Sequence, residues 1–488
     1  MNTRRKEIII DLISNVLVLP ILCWPMWIYR FPFLYSDSGT YLIAFRQHQI
    51  PIDRPVMYSE LVSRIANFSS VYAIPLFQSL LVLYVMYIFV HRGFKGKFIP
   101  GTSALIALLL AGTSGLPFLV NQIMPDLLTP LLFLIAWTLF KPKAKLGLHR
   151  LVFWIVFALI TATHTTHLLL GLFAVAIAFM FQSDKRNKWS WNSLILGVLL
   201  SVFTLPLNNY RLSGRFYYSD SSRVFLTASL QTAGVLVPWL ERHCGEGNAP
   251  LFLCTERSRL AEMSGNDILW NSDILIDSSC NAVGGWGFCW KQRNEELKAM
   301  ASGWWKDRAV FRKWLGYAWG STWQQSINFG VGMISSQKEG SAPYEVLKEA
   351  WPLDLARYKS SKQYTQDLYF HGASIRQMIA VIAGLFVIMF AFFVRKPALA
   401  RLDDQNRLGF ALFLFIVCNA AICGVFSNPL DRYEARVIWL IPLMAFLWLF
   451  LQLENYRLKK NENEHIHDGD DEPWLSLSMP RESDKTDQ

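Results

Sequence analysis

The sequence predicts a mainly α fold: a polytopic membrane helical bundle of about ten transmembrane helices with an inserted, disulfide-bearing outer domain. Three observations carry this. Of 488 residues, 52% are hydrophobic, among them 34 Phe and 19 Trp, which is more apolar than an ordinary soluble chain. The apolar runs repeatedly approach the ~20 residues that cross a bilayer as a helix. The net charge of +10 is gathered in short segments between those runs, as cytoplasmic loops demand. Membrane topology therefore accounts for the basic balance, and no nucleic-acid partner is expected.

Taken in order, Arg4, Arg5 and Lys6 precede a first span over Ile8–Tyr29, which predicts an inner N-terminus. No small-residue cleavage site follows that span, so no cleavable signal is expected. An outer loop over 30–70 comes next, then a span over Val71–Val90 and the basic stretch His91–Lys97. Pro100–Val120 leads out to Asn121–Asp126, and Leu127–Phe140 leads back to Lys141, Lys143, Lys145 and Arg150. Leu151–Thr163, Leu168–Phe181 and Trp191–Leu207 complete the N-terminal membrane module, residues 1–207. The apolar pattern then stops over 208–371 and resumes in a C-terminal module, 372–456, with spans over Ile375–Val394, Leu408–Phe426 and Val437–Leu453. The acidic remainder, 457–488, has too little apolar content to bury and is expected to be disordered in the cytoplasm.

The segment 208–371 is predicted to be an outer soluble domain. It holds Cys244, Cys254, Cys280 and Cys289, spaced as two pairs ten and nine residues apart. Four cysteines in one exported segment favour disulfides, local pairing being the simplest of three connectivities. A zinc site is the rival, at spacings wider than the usual knuckle. Outer disulfides without a targeting peptide point to a bacterial inner-membrane protein facing the periplasm. Within the segment, Trp304, Trp305, Trp314, Trp319 and Trp323 interleave with Lys306, Arg308, Arg312 and Lys313. That pattern suits either a helix in the headgroup region or an ordinary amphipathic core helix.

Ionisable groups at a membrane edge are costly and mark candidate sites. They gather on the predicted outer side. Asp37, in Tyr35-Ser36-Asp37-Ser38-Gly39-Thr40-Tyr41, can accept a proton from a hydroxyl, hold a divalent cation, position a sugar, or cap a helix from Ser38. Tyr41 and Tyr58 flank it as candidate substrate contacts. Arg54 and Arg436 offer the planar fork that matches phosphate, the alternative being headgroup anchoring. Arg432 is a further contact with acidic neighbours. Asp126 follows Pro125, a position that suits either a site residue or a helix cap. His164 and His167 lie on one helical face and can bind phosphate, shuttle protons or ligate a metal. No third ligand stands at a diagnostic spacing, and no cofactor is required by any motif. Phosphate-loop, serine-elbow and zinc-protease patterns are absent.

Four of these stretches resemble the GT-C class of integral-membrane glycosyltransferases, which includes the aminoarabinose and mannosyl transferases: Tyr35–Tyr41, Arg54-Pro55-Val56-Met57-Tyr58, Pro125-Asp126-Leu127-Leu128, and Asp431–Arg436 before a Trp-Leu-Ile-Pro helix. The resemblance implies a polyprenyl-phosphate sugar donor and an essential acidic residue in the first outer loop, which maps to Asp37. The expected activity is inverting transfer of a sugar to a lipid, glycan or protein acceptor on the periplasmic side, among membrane lipids. Two other classes fit the same residues: a transporter or flippase for an anionic lipid-linked solute, and a non-catalytic envelope assembly protein. Transporters tend to hold their charges at the midplane between repeated halves, whereas these charges lie at one edge.

Overall fold

The computed structural model describes residues 3–47, 50–94, 98–141, 146–182, 188–246, 249–395 and 404–469. These residues are mainly helical, and an isolated bridge between Phe33 and Gln122 is the extended pairing among them. The predicted basic stretches 95–97, 142–145, 183–187 and 396–403 lie outside the described residues, as does the tail beyond Gly469.

Seven helical segments are long and apolar enough to cross a membrane: Lys6–Ile28, Ala73–Gly93, Thr165–Gln182, Lys188–Ser213, His371–Phe393, Gln405–Phe426 and Asp431–Arg457. The other three predicted spans correspond to shorter apolar helices, Thr102–Thr113, Pro125–Phe140 and Leu148–Thr161. Ser114 and Gly115 explain the first of these, because they end the helix before the apolar run ends. The second is buried at every position from Leu128 to Phe140. A helix apolar on all sides belongs inside a bundle, and 13 residues reach only about 20 Å.

The helices used below are labelled in chain order. They are α1 (Thr3–Leu22), α2 (Ser36–Ile43), α3 (Met57–Phe68), α4 (Ala73–Gly93), α5 (Thr102–Thr113), α6 (Leu128–Phe140), α7 (Leu148–Thr161), α8 (Thr165–Gln182) and α9 (Lys188–Ser213). There follow α10 (Ser222–Thr232), α11 (Ser278–Glu296), α12 (Arg308–Ile327), α13 (Ala342–Ala350), α14 (Pro352–Lys359), α15 (His371–Arg395), α16 (Asp404–Phe426), α17 (Asp431–Ile438) and α18 (Leu440–Gly469).

Hydrogen bonds join separate elements at each end of the bundle. At one end, Asp11 on α1 accepts from the Gly101 N–H at 2.7 Å, and Tyr84 bonds His149 at 2.9 Å. At the other, the backbones of Phe33 and Asn121 pair at 2.8 Å. There too Ser229 of the inserted segment donates to the Val425 carbonyl at 2.7 Å.

The inserted segment departs from a single domain over 208–371. Its first residues continue α9 to Ser213. Residues 224–310 enclose a core of their own around Trp239, Leu240, Trp290 and Met300. Asp277 starts α11 and Asp307 starts α12, each carboxylate accepting two backbone N–H bonds of the kind that caps a helix. Both disulfides are local, Cys244–Cys254 and Cys280–Cys289. Residues 334–358 instead join the main bundle core through Ile334, Tyr344, Leu347 and Tyr358. Polar side chains seat this part: Gln363 exchanges two bonds with the Leu34 backbone, and Asp354 accepts from Ser70 and the Val71 N–H. The chain after 457 also differs from expectation, since α18 stays helical to Gly469.

Candidate active site at one end of the bundle

The stretch after the first span places Asp37 in the opening turn of α2. Capping falls to Ser38, whose hydroxyl accepts from the Tyr35 N–H at 2.9 Å and donates to the Ile123 carbonyl at 2.9 Å. Asp37 is thereby left to face cations. Its Oδ1 lies 3.1 Å from Arg54 Nη1 and its Oδ2 lies 3.9 Å from Arg432 Nη1. Its side chain keeps 30% of its surface open, the most of the four partners in this ring of charges.

Gly39 explains how α2 is held. A Cβ there would stand 2.6 Å from the Ala342 carbonyl carbon and 2.7 Å from the Pro343 nitrogen. The start of α13 therefore lies directly on α2, which only a residue without a side chain permits.

Arg54 comes from the loop before α3. It is held by Asp53, with Nη2 at 2.6 Å from the carboxylate, and its guanidinium lies over the Tyr41 ring at 5.3 Å from the centroid. Tyr41 is buried and packs edge-on against Tyr58 at 5.0 Å. Burial raises the Tyr41 hydroxyl above its ordinary range, so it stays neutral. Tyr58 points into the interior and donates to Gln78 at 2.9 Å. Tyr41 thus floors the site, and Tyr58 supports it from beneath.

Asp126 sits in the short 3-10 turn Pro125–Leu127 and is 4% exposed. Its Oδ1 is 3.2 Å from Arg436 Nη1 and its Oδ2 is 3.7 Å from Arg432 Nε. Both arginines are on α17, one turn apart, so they reach the same carboxylate from one face. Arg432 lies over Tyr35 at 5.2 Å and stays at the surface side of the pair. Arg436 is 1% exposed and committed inward, its nitrogens donating to Asn419 Oδ1 at 3.1 and 2.8 Å and to Cys423 Sγ at 2.9 Å. The phosphate contact expected of Arg436 is thus not available at the surface; its guanidinium organises Asp126. Asn419, fully buried on α16, also donates to Glu434 at 3.0 Å and was not anticipated. Its signal in the sequence is a lone amide inside an apolar run, which a membrane helix keeps only for a partner.

The two histidine rings stand 5.6 Å apart but have different partners. His164 lies between α7 and α8, outside the spans. Its Nδ1 accepts from the Thr166 N–H at 3.2 Å, so the neutral ring carries its proton on Nε2. Burial first, then Arg436, Arg432 and Arg54, push it down to about 3. It is a neutral group at ordinary pH and not a phosphate-binding cation. His167 is fully buried, its ring nitrogens bonding Thr129 at 2.8 Å and Thr163 at 2.9 Å. It ties α8 to α6 and has no free nitrogen for substrate or metal.

No group of three or more His, Cys, Asp or Glu side chains converges on a metal position among the described residues. Asp37 and Asp126 face guanidinium groups instead, so the residues present do not form a divalent-cation site. Asp37, Arg54, Tyr41, Asp126, Arg432 and Arg436 form one cluster, assembled from four separate stretches. Protein-family models, curated proteins and solved structures give no match to this chain. The geometry carries the functional reading alone.

Proposed function

We propose that the chain is a membrane glycosyltransferase that moves a sugar from a polyprenyl-phosphate donor to a lipid, glycan or protein hydroxyl outside the inner membrane of a bacterium. In this reading the seven long and three short apolar helices make ten passes, both chain ends are inside, and the disulfide-bearing segment is periplasmic. Reporter fusions that place Cys244–Cys289 in the cytoplasm would refute that topology. The observation that carries the reading is the half-open carboxylate of Asp37 set between Arg54 and Arg432 at 3.1 and 3.9 Å.

A lipid-linked phosphodiester carries its charge on two non-bridging oxygens, so it matches the guanidinium fork as a carboxylate does and can take the place of Asp37 between the two arginines. On binding, the phosphate takes Arg54 and Arg432, and Asp37 is released toward the acceptor. The acceptor oxygen attacks the anomeric carbon from the face opposite the donor phosphate. The bond from that carbon to the phosphate oxygen breaks, its electron pair stays on the phosphate, and Asp37 takes the hydroxyl proton. The two arginines stabilise the charge that grows on the leaving oxygen. Asp126 and Arg436 hold Arg432 in place, and His164 supplies a neutral Nε2–H nearby.

Single-turnover transfer from a polyprenyl-phosphate sugar, with the purified chain in lipid, tests this. Asp37→Asn keeps the shape and loses the base, so turnover should fall roughly 10²–10⁴-fold with donor binding retained. Turnover at the parent rate would remove Asp37 from the chemistry. Comparing the envelope glycolipids and glycans of a deletion strain by mass spectrometry would name the sugar and acceptor.

A further inference from the structure

The helix α12 presents two surfaces with different chemistry. One runs along the outer end of the span that contains α16. There Ser321 donates to the Gly424 carbonyl, Trp314 meets Phe426 at 6.4 Å, and Gln325 exchanges two 2.9 Å bonds with the Leu430 backbone. The other surface is uncovered. Leu315, Trp319, Trp323 and Ile327 recur every four residues and are exposed, Trp319 by 79% and Trp323 by 67%. Gly316 and Gly320 beside them meet no other atom within 4 Å of a Cβ position.

Charge divides the same helix lengthwise. Lys306, Arg308 and Arg312 cluster at its start and are exposed. None of the three has a carboxylate partner among the described residues, Asp307 being taken by Arg242 at 2.7 Å. Beyond Arg312 and Lys313 the exposed side chains carry no charge, and all but Gln324 are apolar. A soluble domain buries such a stripe, and a water-facing helix breaks it with charge.

We infer that α12 docks on the lipid surface, its basic start among anionic headgroups and its Trp319–Trp323 stripe against the upper acyl region. Two observations select lipid. The stripe starts beside an exposed apolar residue of a span: Phe426 of α16, itself 49% exposed, lies against Trp314, the residue before Leu315. On the neighbouring α15, Ile379 and Phe386 are likewise exposed. The helix runs from basic residues, ending at Lys313, to the uncharged stripe of Leu315, Trp319, Trp323 and Ile327, a change from charge to apolar surface that matches the step from headgroup to acyl chain, where tryptophan is favoured at the boundary. The seat also bears on the cluster, since Leu430, held by Gln325, immediately precedes α17 and Arg432. Lipid docking would thereby fix the height at which Arg432 meets its partners. This inference needs no assumption about sugar transfer.

The test uses the full chain in phosphatidylcholine vesicles, with and without phosphatidylglycerol. Trp323→Cys carries an environment-sensitive fluorophore in a Cys418→Ala background, whose remaining free thiols, Cys23 and Cys423, are buried. Doxyl-labelled lipid should quench the probe several-fold more than aqueous iodide does. Phosphatidylglycerol should strengthen that quenching in the parent and not in Arg308→Glu/Arg312→Glu. Gel filtration and reductant-resistant thiol protection would confirm that both forms fold. Strong iodide quenching would place the stripe in water, and protection from both quenchers would mean a protein partner, such as a second copy. Either result overturns the proposal, and so does indifference to phosphatidylglycerol.

Discussion

Arg436 Nη1 stands 3.2 Å from Asp126 Oδ1, and neither side chain is open to solvent by more than 5%. A buried pair of this kind is costly to break, because the surviving charge keeps its desolvation penalty and loses its partner. Arg436→Met should therefore lower the stability of the folded chain by about 3–5 kcal/mol. It also strips Asn419 of the donors on its Oδ1. Asp126→Asn/Arg436→Met should recover part of the loss, because both charges are gone. Thermal unfolding of the purified chain in lipid checks this. Additive losses would show that the two residues act independently.

The second expectation concerns Gly39. Its missing Cβ lets the Ala342-Pro343 backbone lie on α2, and backbone cannot swing aside as a flexible side chain would. Gly39→Ala should destabilise by about 1–3 kcal/mol, the usual range for an overpacked site. Gly93 ends α4 and among the described residues has nothing within 4 Å of a Cβ position, so Gly93→Ala is the control and should change little. Equal melting temperatures for the two variants would mean that α13 is not held against α2.

The spans and the site differ in how much of them the sequence displayed. Apolar helices are set by local composition, so each of the ten apolar runs holds a helix, but seven are long enough to cross a membrane, Ser114-Gly115 and a buried 13-residue helix being among the reasons the others are short. The loop motifs also met, with Asp37, Arg54, Asp126 and Arg432 in one cluster. Side-chain direction was hidden. Arg432 and Arg436 are both basic residues on one short helix, and only packing decides that Arg436 turns inward to Asn419 while Arg432 stays beside Asp37. The two histidines likewise share a face on paper, yet the threonines around His167 enclose it. The split of 208–371 depended on long-range seats such as Gln363 on Leu34, 329 residues away, which no local pattern reports.

His164 gives a pH expectation. In the folded chain it titrates at about 3, whereas in an unfolded chain it does so near 6.5. Below ~6.5 the unfolded state binds a proton that the folded state refuses, so stability is lost as the pH falls toward 3 and is unaffected above the unfolded value. His164→Gln removes that proton site. The melting-temperature difference between parent and variant should be flat above neutrality and should move in the variant's favour as the pH falls below ~6.5. A difference that changes between pH 7 and 9 instead, or not at all, would contradict a buried neutral ring beside the arginines.

The three arginines should separate by what they touch. Arg54 and Arg432 border the opening next to Asp37, whereas Arg436 is enclosed behind Asp126. If a lipid phosphate binds between the first two, each meets it before and during the transition state. Arg54→Ala or Arg432→Ala should then weaken donor binding as well as turnover. A hydrogen bond to a charged group contributes about 1.5–3 kcal/mol, which corresponds to roughly 10–150-fold in donor affinity. Asp37→Asn should behave oppositely, holding donor affinity or improving it, since the carboxylate competes with phosphate for both guanidinium groups. Arg436 needs a milder change: Arg436→Lys keeps a charge near Asp126 but cannot reproduce the fork to Asn419. It should cost stability and shift Arg432, with donor affinity falling less than in either surface variant. Equilibrium binding of a fluorescent polyprenyl phosphate to the four variants in lipid measures the order directly. If Arg436→Lys weakens binding more than Arg54→Ala or Arg432→Ala, the phosphate sits deeper than Asp37, and the assignment of the two outer arginines fails.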